Sequence, residues 1–469
     1  MRISLVIKLL ILTTAGTIAK ETKRPNVLFI MIDDSEKVEY GCYGGDSLTP
    51  HIDSIAEDGI VFHKGFTSSS VCTPTRYTVM TGQYASRSPS LRTEDKQPEH
   101  MSTYVRWNTH LEEGGHNLAS VLRDNGYVTG MVGKWHIGHS HEYHARGAGI
   151  PGKQDTTVND AVAKGDPKGD RVMAGGNAIP LEDPDFNRYL QAKYEIACDD
   201  IKKHYGFTDV RAFYSGNLTD YPKWMRNFYH HNQDWMTQGA IEFIDDYADG
   251  DKPFFLYFSS TLQHGPEPTA SIDADRRITA MGYIDEAPQV QPDAASIYRR
   301  LEEAGLPKER APFTWLDDGV GAVLQKLKDE GIYDNTLIFF FSDQQSWGKA
   351  SCFDAGVCTP YIMSWPAQLP KGVESDELVS NIDFAPTVFD ACGVTPPEDM
   401  VIDGLSLLPM ARGETNEWRD AVFFELGDMR AVRTRDYKYI TVRHLDEAGW
   451  AALAPEDRES QNYRKRYFK

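Results

Sequence analysis

The sequence has no surplus of basic residues. Its 469 residues include 49 Lys and Arg against 69 Asp and Glu, which gives a formal net charge of -20. A nucleic-acid-binding protein needs a basic face, so this composition argues against that class of partner. The same charge excludes long-range attraction of an anionic substrate, and any anion site in this chain must therefore be a local cluster of cations.

The sequence also has no fixed-period repeat, no low-complexity segment and, after residue 19, no apolar run of membrane-spanning length. Residues 1–19 begin with basic Arg2, continue with a mostly apolar stretch interrupted by Lys8, and end in the small residue Ala19. This pattern predicts a signal peptide, and the stretch is too short for the alternative of a membrane anchor. We therefore predict an exported protein, periplasmic or extracellular, without a membrane span.

Cysteine is scarce, with six residues in the chain. Export permits disulfides. If Cys72 is set aside for the chemistry argued below, the five that remain are an odd number, so at least one thiol must stay free. The remaining cysteines are Cys42, Cys198, Cys352, Cys358 and Cys392. Among them, Cys352 and Cys358 are close enough in sequence to pair.

Four apolar runs with many branched and aromatic residues occupy residues 26–32, 126–132, 254–258 and 335–341. Such runs are typical of parallel strands buried on both faces, and helical patterns lie between them. We predict an α/β fold, with a large, mixed, mostly parallel sheet flanked by helices. Short alternating runs between residues 421 and 442 predict a smaller C-terminal antiparallel sheet packed with a helix. A chain of this length usually holds more than one domain, so we place a catalytic domain at residues 20–366 and a C-terminal subdomain at 367–469.

Acidic and amide residues directly follow two of these predicted strands. Asp33 and Asp34 come after the first strand, and Asp343 and Gln344 come after the fourth. Adjacent carboxylates repel one another without a cation, and ligands of open α/β sheets gather at the carboxyl ends of strands. A solvated turn or a helix cap is the alternative for the first pair. Oxygen ligands favour Ca²⁺ or Mg²⁺ over Zn²⁺, so we predict a site for a hard cation.

Cations and histidines occupy comparable positions. Lys134 and His136 follow the second predicted strand, where an extended chain would direct both to one face. His264 follows the third strand, and Lys349 comes shortly after the fourth. Each of these residues alone would be interpreted as a solvated or structural residue. Four strands that all end in polar residues instead predict one shared site.

The segment Ser70–Gly82 carries the most distinctive motif, which combines a thiol, a rigid proline turn and a fixed cation. Arg76 comes four residues after Cys72, so a helix beginning there would place both on one face. A guanidinium beside a nucleophile suits an anionic substrate. The alternative is a buried cysteine before a helix. A cysteine phosphatase is disfavoured because its arginine comes six residues after the thiol.

This motif resembles the C-x-P-x-R signature of type I sulfatases, which belong to the alkaline phosphatase superfamily. The matching residues are Cys72-Thr73-Pro74-Thr75-Arg76, continued by Thr81-Gly82-Gln83-Tyr84, the Asp33-Asp34 pair and Gly133-Lys134-Trp135-His136. The resemblance covers nearly the whole mature chain. It implies that a sulfatase-maturation enzyme oxidises Cys72 to formylglycine. Of the hydrated aldehyde's two hydroxyls, one attacks sulfur and the other later expels sulfate.

The resemblance also implies the roles of the other residues. One Ca²⁺ would be bound by Asp33, Asp34, Asp343, Gln344 and residue 72, although the family usually has Asn or His, followed by Gly, where this chain has Gln344 and Gln345. Arg76, Lys134 and Lys349 would balance the negative charge. His264 would protonate the leaving oxygen, and His136 would take the proton of the diol.

The resemblance predicts a sulfatase, and a sulfated carbohydrate or polysaccharide is the expected substrate. The alternatives are a phosphodiesterase or phosphonate monoester hydrolase of the same superfamily, or an inactive sugar-binding homologue. Specificity is expected in residues 85–116, 139–230 and 267–310. Residues 139–230 show no steady period and are interpreted as a long insertion. That insertion contains a glycosylation sequon at Asn217-Leu218-Thr219, which matters only in a eukaryotic host.

Overall fold

The computed structural model describes residues 23–93, 103–107, 109–137, 180–220, 223–415 and 418–442. The predicted signal peptide and the charged C-terminal tail lie outside these residues. None of the helices in the described ranges combines the length and apolar character that a membrane crossing needs. The strands are β1 (Asn26–Ile32), β2 (Gly59–Phe62), β3 (Gly65–Phe66), β4 (Val128–Lys134), β5 (Asp209–Tyr214), β6 (Phe254–Ser259), β7 (Ile278–Thr279), β8 (Gly282–Tyr283), β9 (Thr336–Ser342), β10 (Tyr361–Ser364), β11 (Val373–Ser375), β12 (Val379–Ser380), β13 (Ala421–Leu426), β14 (Met429–Thr434) and β15 (Lys438–Val442). The α-helices are α1 (Pro50–Glu57), α2 (Cys72–Thr81), α3 (Ser90–Thr93), α4 (Leu118–Asp124), α5 (Pro184–His204), α6 (Gln233–Tyr247), α7 (Pro268–Ile272), α8 (Ala294–Glu303), α9 (Ala311–Asp329), α10 (Asp354–Val357), α11 (Phe384–Cys392) and α12 (Leu408–Ala411).

An eight-stranded sheet with the order β11-β2-β10-β9-β1-β6-β4-β5 forms the centre of the fold. Five adjacent strands of this sheet are parallel to one another, in the order β9, β1, β6, β4 and β5. Strand β10 is antiparallel to both β9 and β2, and β11 is parallel to β2. The predicted mixed, mostly parallel sheet is confirmed. The carboxyl ends of the parallel strands therefore meet at one edge of the sheet.

Both faces of the sheet are covered, as the continuous apolar strands predicted. Successive residues of a strand point to opposite faces, so β1 contributes to two cores. Val27, Phe29 and Met31 belong to the core that includes residues of α2, α4 and α11. Leu28 and Ile30 belong to the core that includes residues of α1, α6 and α9. Each such side chain contributes about 1.5–3 kcal/mol to stability when fully buried, so both faces of β1 stabilise the strand that leads to Asp33 and Asp34.

Part of the predicted insertion instead belongs to this architecture. Residues 180–220 form helix α5 and strand β5, and β5 is the edge strand beside β4. At the opposite edge, β11 pairs with β2 although it comes after residue 366. The large sheet thus receives a strand from the segment assigned to the C-terminal subdomain, and the boundary at residue 366 stays a prediction.

The C-terminal sheet β13-β14-β15 is antiparallel, as predicted. Its inner side chains Val422 and Phe424 form a small core with Phe66 and Val71, directly before helix α2. The side chains of Val422 and Phe424 are nearly inaccessible to solvent. This sheet therefore supports the turn that carries Cys72. All six cysteines have free thiols, so the considered Cys352–Cys358 pair is not a disulfide.

Candidate active site

The carboxyl ends of β1 and β9 bring three carboxylates together. Ile32 is paired with Ser342 in the parallel register, so the residues that follow each strand emerge side by side. The backbone N–H of Asp343 donates to the Ile32 carbonyl at 3.0 Å. The backbone N–H of Asp34 donates to Asp343 Oδ1 at 3.1 Å. One carboxylate oxygen from each of Asp33, Asp34 and Asp343 lies within 4.8 Å of the other two.

Helix α2 supplies the cation that holds this acidic cluster. It begins at Cys72 and ends at Thr81, and Gly82 after it has a φ of +67°, a left-handed conformation that suits glycine. The Arg76 side chain is fully buried one turn after Cys72. Its Nη2 donates to Asp33 Oδ2 at 3.1 Å and to Asp343 Oδ2 at 3.0 Å, and its Nε also donates to Asp343.

The remaining nitrogen of Arg76 is used inside the protein as well. Nη1 donates to the Lys134 carbonyl at 3.0 Å and to Ser259 Oγ at 2.7 Å. A guanidinium has five N–H donors, and the five bonds above use all of its nitrogens. Arg76 therefore fixes two carboxylates and the ends of β4 and β6, and its loss would leave buried carboxylates without their cation.

The Cys72 thiol lies in the middle of the cluster, with 1% of the residue exposed. Gln344 Nε2 donates to Cys72 Sγ at 3.1 Å. Asp33 Oδ1 and Lys134 Nζ are each 3.8 Å from the sulfur. The pKa of the Cys72 thiol is raised well above its ordinary value, mainly because the thiol is buried and secondly because of the negative charge of Asp33. The surroundings of Cys72 therefore disfavour a thiolate.

Two lysines contact different carboxylates of the acidic cluster. Lys134 donates to Asp33, and Lys349 Nζ lies 2.6 Å from Asp34 Oδ2. Burial acts to raise the pKa of Asp33, but the cations around it, Lys134 foremost, hold that pKa well below the usual range. Burial, together with the charge of Asp33, raises the pKa of Asp343 to about 7. Three cations, Arg76, Lys134 and Lys349, thus contact the three carboxylates of the cluster.

His264 lies at the rim of the cluster, on the loop after β6. Its Nε2 is 3.6 Å from Asp34 Oδ2, and its Nδ1 is 3.0 Å from the Gly265 carbonyl. Burial, together with the Lys134 cation, lowers the pKa of His264. The buried His231 holds this loop, because its two ring nitrogens contact Thr261 Oγ1 at 2.8 Å and the Pro266 carbonyl at 3.0 Å.

His136 follows β4, but the chain is not extended there. Lys134 is the last residue of the strand, and His136 has a φ of +58°. The extended backbone on which the prediction of one shared face rested therefore ends before His136. The backbone N–H of His136 donates to the Ser215 carbonyl at 3.1 Å. The residue is 7% exposed, so it lies buried beside the end of β5.

The donor set of the acidic cluster fits a hard cation. Gln344 Nε2 donates to Asp34 Oδ1 at 2.5 Å. Its Oε1 is buried and has no hydrogen-bond partner among the described residues. A buried carbonyl oxygen without a partner, on a residue whose amide nitrogen contacts Asp33 and Asp34, is the kind of ligand that Ca²⁺ takes. Gln344 differs from the Asn or His that the family usually has here, but it still provides an oxygen donor at this position.

The sequence prediction missed two residues that contact this cluster. Ser259 ends β6 and accepts from Arg76, and Asn217 Oδ1 accepts from Lys134 Nζ at 2.5 Å. Asn217 follows the apolar residues at the end of β5, and this pattern resembles that of the other strand ends. The sequence around β5 is too polar at Asp209 and Arg211 to mark it as a buried strand.

A family model described as Sulfatase matches residues 25–394. The chain belongs to the sulfatase family. A second model, described as N-sulphoglucosamine sulphohydrolase, C-terminal, matches residues 343–463. The expected family membership and the alkaline phosphatase-like fold are confirmed, and the protein is a sulfuric ester hydrolase.

Similar proteins extend over most of the chain. The N-acetylgalactosamine-6-sulfatase of Canis lupus familiaris is 26% identical over 450 residues, which cover 92% of this chain and 74% of that protein. The structure of BT4656 in complex with its substrate D-glucosamine-2-N,6-O-disulfate is 18% identical, with a TM-score of 0.57 and 95% and 97% of the two chains covered. The phosphonate monoester hydrolase of Agrobacterium radiobacter is 21% identical, with a TM-score of 0.56 and 94% of each chain covered. At these identities the two structures support the fold alone.

Proposed function

We propose that this sulfatase removes sulfate from a sulfated carbohydrate or polysaccharide, using formylglycine made from Cys72 and one Ca²⁺. The observation that carries the proposal is the position of Cys72 Sγ, 3.8 Å from both Lys134 Nζ and Asp33 Oδ1, within the acidic cluster. The Ca²⁺ would be held by Asp33, Asp34, Asp343 and Gln344. When bound, it would compensate the negative charge of the sulfate group. Hydrated formylglycine supplies the hydroxyl that attacks sulfur.

The two lysines and the arginine compensate negative charge at different places in the site. Lys134 touches residue 72 and stabilises the negative charge that develops there and on the sulfate oxygens. Lys349 lies at Asp34, on the more exposed side, and binds the incoming sulfate. Arg76 has its donors committed to the protein, so it holds the carboxylates in position and does not bind the substrate.

The two histidines move protons before and after sulfate transfer. His264 lies at the rim, with 16% of its side chain exposed, where a leaving alcohol can reach its ring. It protonates the leaving oxygen, as a general acid does. His136 is buried beside the end of β4 and accepts the proton of the second hydroxyl. As that proton leaves, the aldehyde C=O re-forms, the bond between the residue 72 carbon and the sulfate oxygen breaks, and sulfate departs.

Maturation must precede folding. Cys72 is 1% exposed, and the preceding residue, Val71, is packed against the C-terminal sheet. A maturation enzyme therefore has to reach Cys72 in the unfolded chain. We propose that this occurs before or during export directed by residues 1–19, to a periplasmic or extracellular location.

Removing Ca²⁺ is expected to inactivate the enzyme reversibly. Chelation should abolish most activity, and added Ca²⁺ should restore it. Asp34→Asn is the informative variant, because Asn tolerates the φ of +52° at this position while the substitution removes one ligand charge. Metal analysis of the purified protein should show less Ca²⁺ per chain in Asp34→Asn.

The matched control is Asp275→Ala, which removes a surface carboxylate paired with Arg277. Its Ca²⁺ content should equal that of the unchanged protein. Active enzyme that retains tightly bound zinc after chelation would contradict the oxygen-ligand argument.

A carbohydrate substrate is supported by the relatives and by one exposed aromatic residue. The sulfatase of Canis lupus familiaris is named for a sulfated sugar. In this chain Trp347 is 87% exposed, two residues before Lys349. Its backbone N–H donates to the Glu36 carboxylate at 2.9 Å, and Glu36 also holds Ser346. An indole fixed at its backbone and open to solvent can stack on a sugar ring.

A panel of sulfated oligosaccharides and aryl phosphate diesters tests this proposal. We expect desulfation of at least one oligosaccharide class with a higher kcat/KM than any phosphate diester. Trp347→Ala should raise KM for the oligosaccharide and leave nitrophenyl sulfate almost unchanged, because the aryl ester has no sugar to stack. Phosphate diester hydrolysis that matches or exceeds sulfate ester hydrolysis would favour the phosphodiesterase alternative.

A further inference from the structure

Asn217 contacts the lysine that touches residue 72. Lys134 is almost fully buried, and its ammonium group has three N–H donors. The ammonium contacts Asp33, Asn217 Oδ1 at 2.5 Å and Cys72 Sγ at 3.8 Å. The two oxygen acceptors therefore determine how the ammonium faces residue 72.

The fold holds Asn217 firmly at this place. Strand β5 is parallel to β4, with Tyr214 opposite Lys134. The segment after β5 continues beside the segment after β4, since the Trp135 N–H donates to the Tyr214 carbonyl at 2.9 Å. Leu218 is 1% exposed in the core below and anchors the chain directly after Asn217. Asn217 itself is half-buried.

We propose that Asn217 is a positioning residue that orients Lys134 toward the transferring sulfate group. This inference rests on the proposed sulfatase chemistry. A neutral carbonyl oxygen directs the ammonium without cancelling its charge, whereas a carboxylate there would form a second ion pair and weaken the attraction for sulfate. Asn217 then serves the active site even though it begins a glycosylation sequon.

Three variants separate this role from the alternatives. Thr219→Ala changes an exposed neighbour and keeps the carboxamide of Asn217, so it serves as the matched control. Asn217→Ala removes the hydrogen-bond acceptor. Asn217→Asp keeps the size and the acceptor but adds a negative charge beside Lys134. The variants are purified from a bacterial host with a maturation enzyme, and their thermal unfolding is compared with that of the unchanged protein.

Two readouts are measured: kcat and KM for nitrophenyl sulfate, and calorimetric affinity for inorganic sulfate. Thr219→Ala should match the unchanged protein in both. Asn217→Ala should lower kcat/KM about 10- to 100-fold, the range expected for a lost hydrogen bond to a charged group. Asn217→Asp should weaken sulfate binding and raise KM at unchanged thermal stability.

Asn217→Asp with unchanged KM and unchanged sulfate affinity would overturn the inference, since a merely structural amide tolerates this exchange. Losses in Asn217→Ala that only follow the fraction of folded protein would also overturn it. The sulfate titration needs no turnover, so it separates this inference from the proposed function. An unchanged protein without sulfatase activity would refute the function, while weaker sulfate binding in Asn217→Asp would still support the role of Asn217.

Discussion

Cys72→Ala is expected to lower sulfatase activity by about 10,000-fold or more, since losses of that order follow removal of a covalent nucleophile. The side chain is small and buried, and alanine can occupy the first turn of α2 without a clash, so the variant should fold. Peptide mass spectrometry of residues 65–76 from the unchanged protein, coproduced with a maturation enzyme, should show the aldehyde mass in place of the thiol.

The matched control is Cys42→Ala, a partly exposed cysteine outside the acidic cluster. It should keep normal activity and leave the residue 72 aldehyde in place. Substantial turnover by Cys72→Ala would refute the nucleophile assignment. A Cys72 peptide that remains a thiol in protein from the native host would instead favour an inactive sugar-binding homologue.

His264→Ala is expected to lose far more rate on a sugar sulfate than on nitrophenyl sulfate. A sugar alkoxide is a strong base and needs a proton as it leaves, whereas nitrophenolate leaves without one. General acid catalysis contributes roughly 100- to 10,000-fold, so the loss on the sugar sulfate should reach that range. Single-turnover rates on both substrates measure it, provided sulfur–oxygen cleavage limits each rate.

The same comparison on His136→Ala is the control for His264. The proposed task of His136 comes after the alcohol has left, so its loss should depend less on the leaving group. Equal losses on both substrates for His264→Ala would remove the acid role and leave His264 as a binding residue at the rim beside Asp34.

Local sequence pattern was sufficient for several of the buried strands and for the polar residues that follow them. Strand β1 was placed correctly to the residue because a continuous apolar run that ends in Asp33-Asp34 is visible without any tertiary information. Strand β9 with Asp343, and α2 with Cys72 and Arg76 one turn apart, were found in the same way. These signals are local, since burial on both faces of the sheet requires an unbroken apolar run.

Long-range pairing was decided only by the tertiary structure. Strand β5 has too many polar residues to appear buried, and its place beside β4 depends on hydrogen bonds across the sheet. Its position brings Asn217 to Lys134, 83 residues away. The Asp34 N–H bond to Asp343 joins residues 309 positions apart.

The sequence by itself determined which residue types stand at the strand ends, and hence the chemistry available there. The fold decided which of them touch and in what role. Arg76 was expected to face the substrate, but its donors are used by Asp33, Asp343 and the neighbouring strand ends. His136 was expected in an extended chain, but it has a positive φ. The direction of a side chain depends on partners distant in sequence, and residue periodicity carries no information about them.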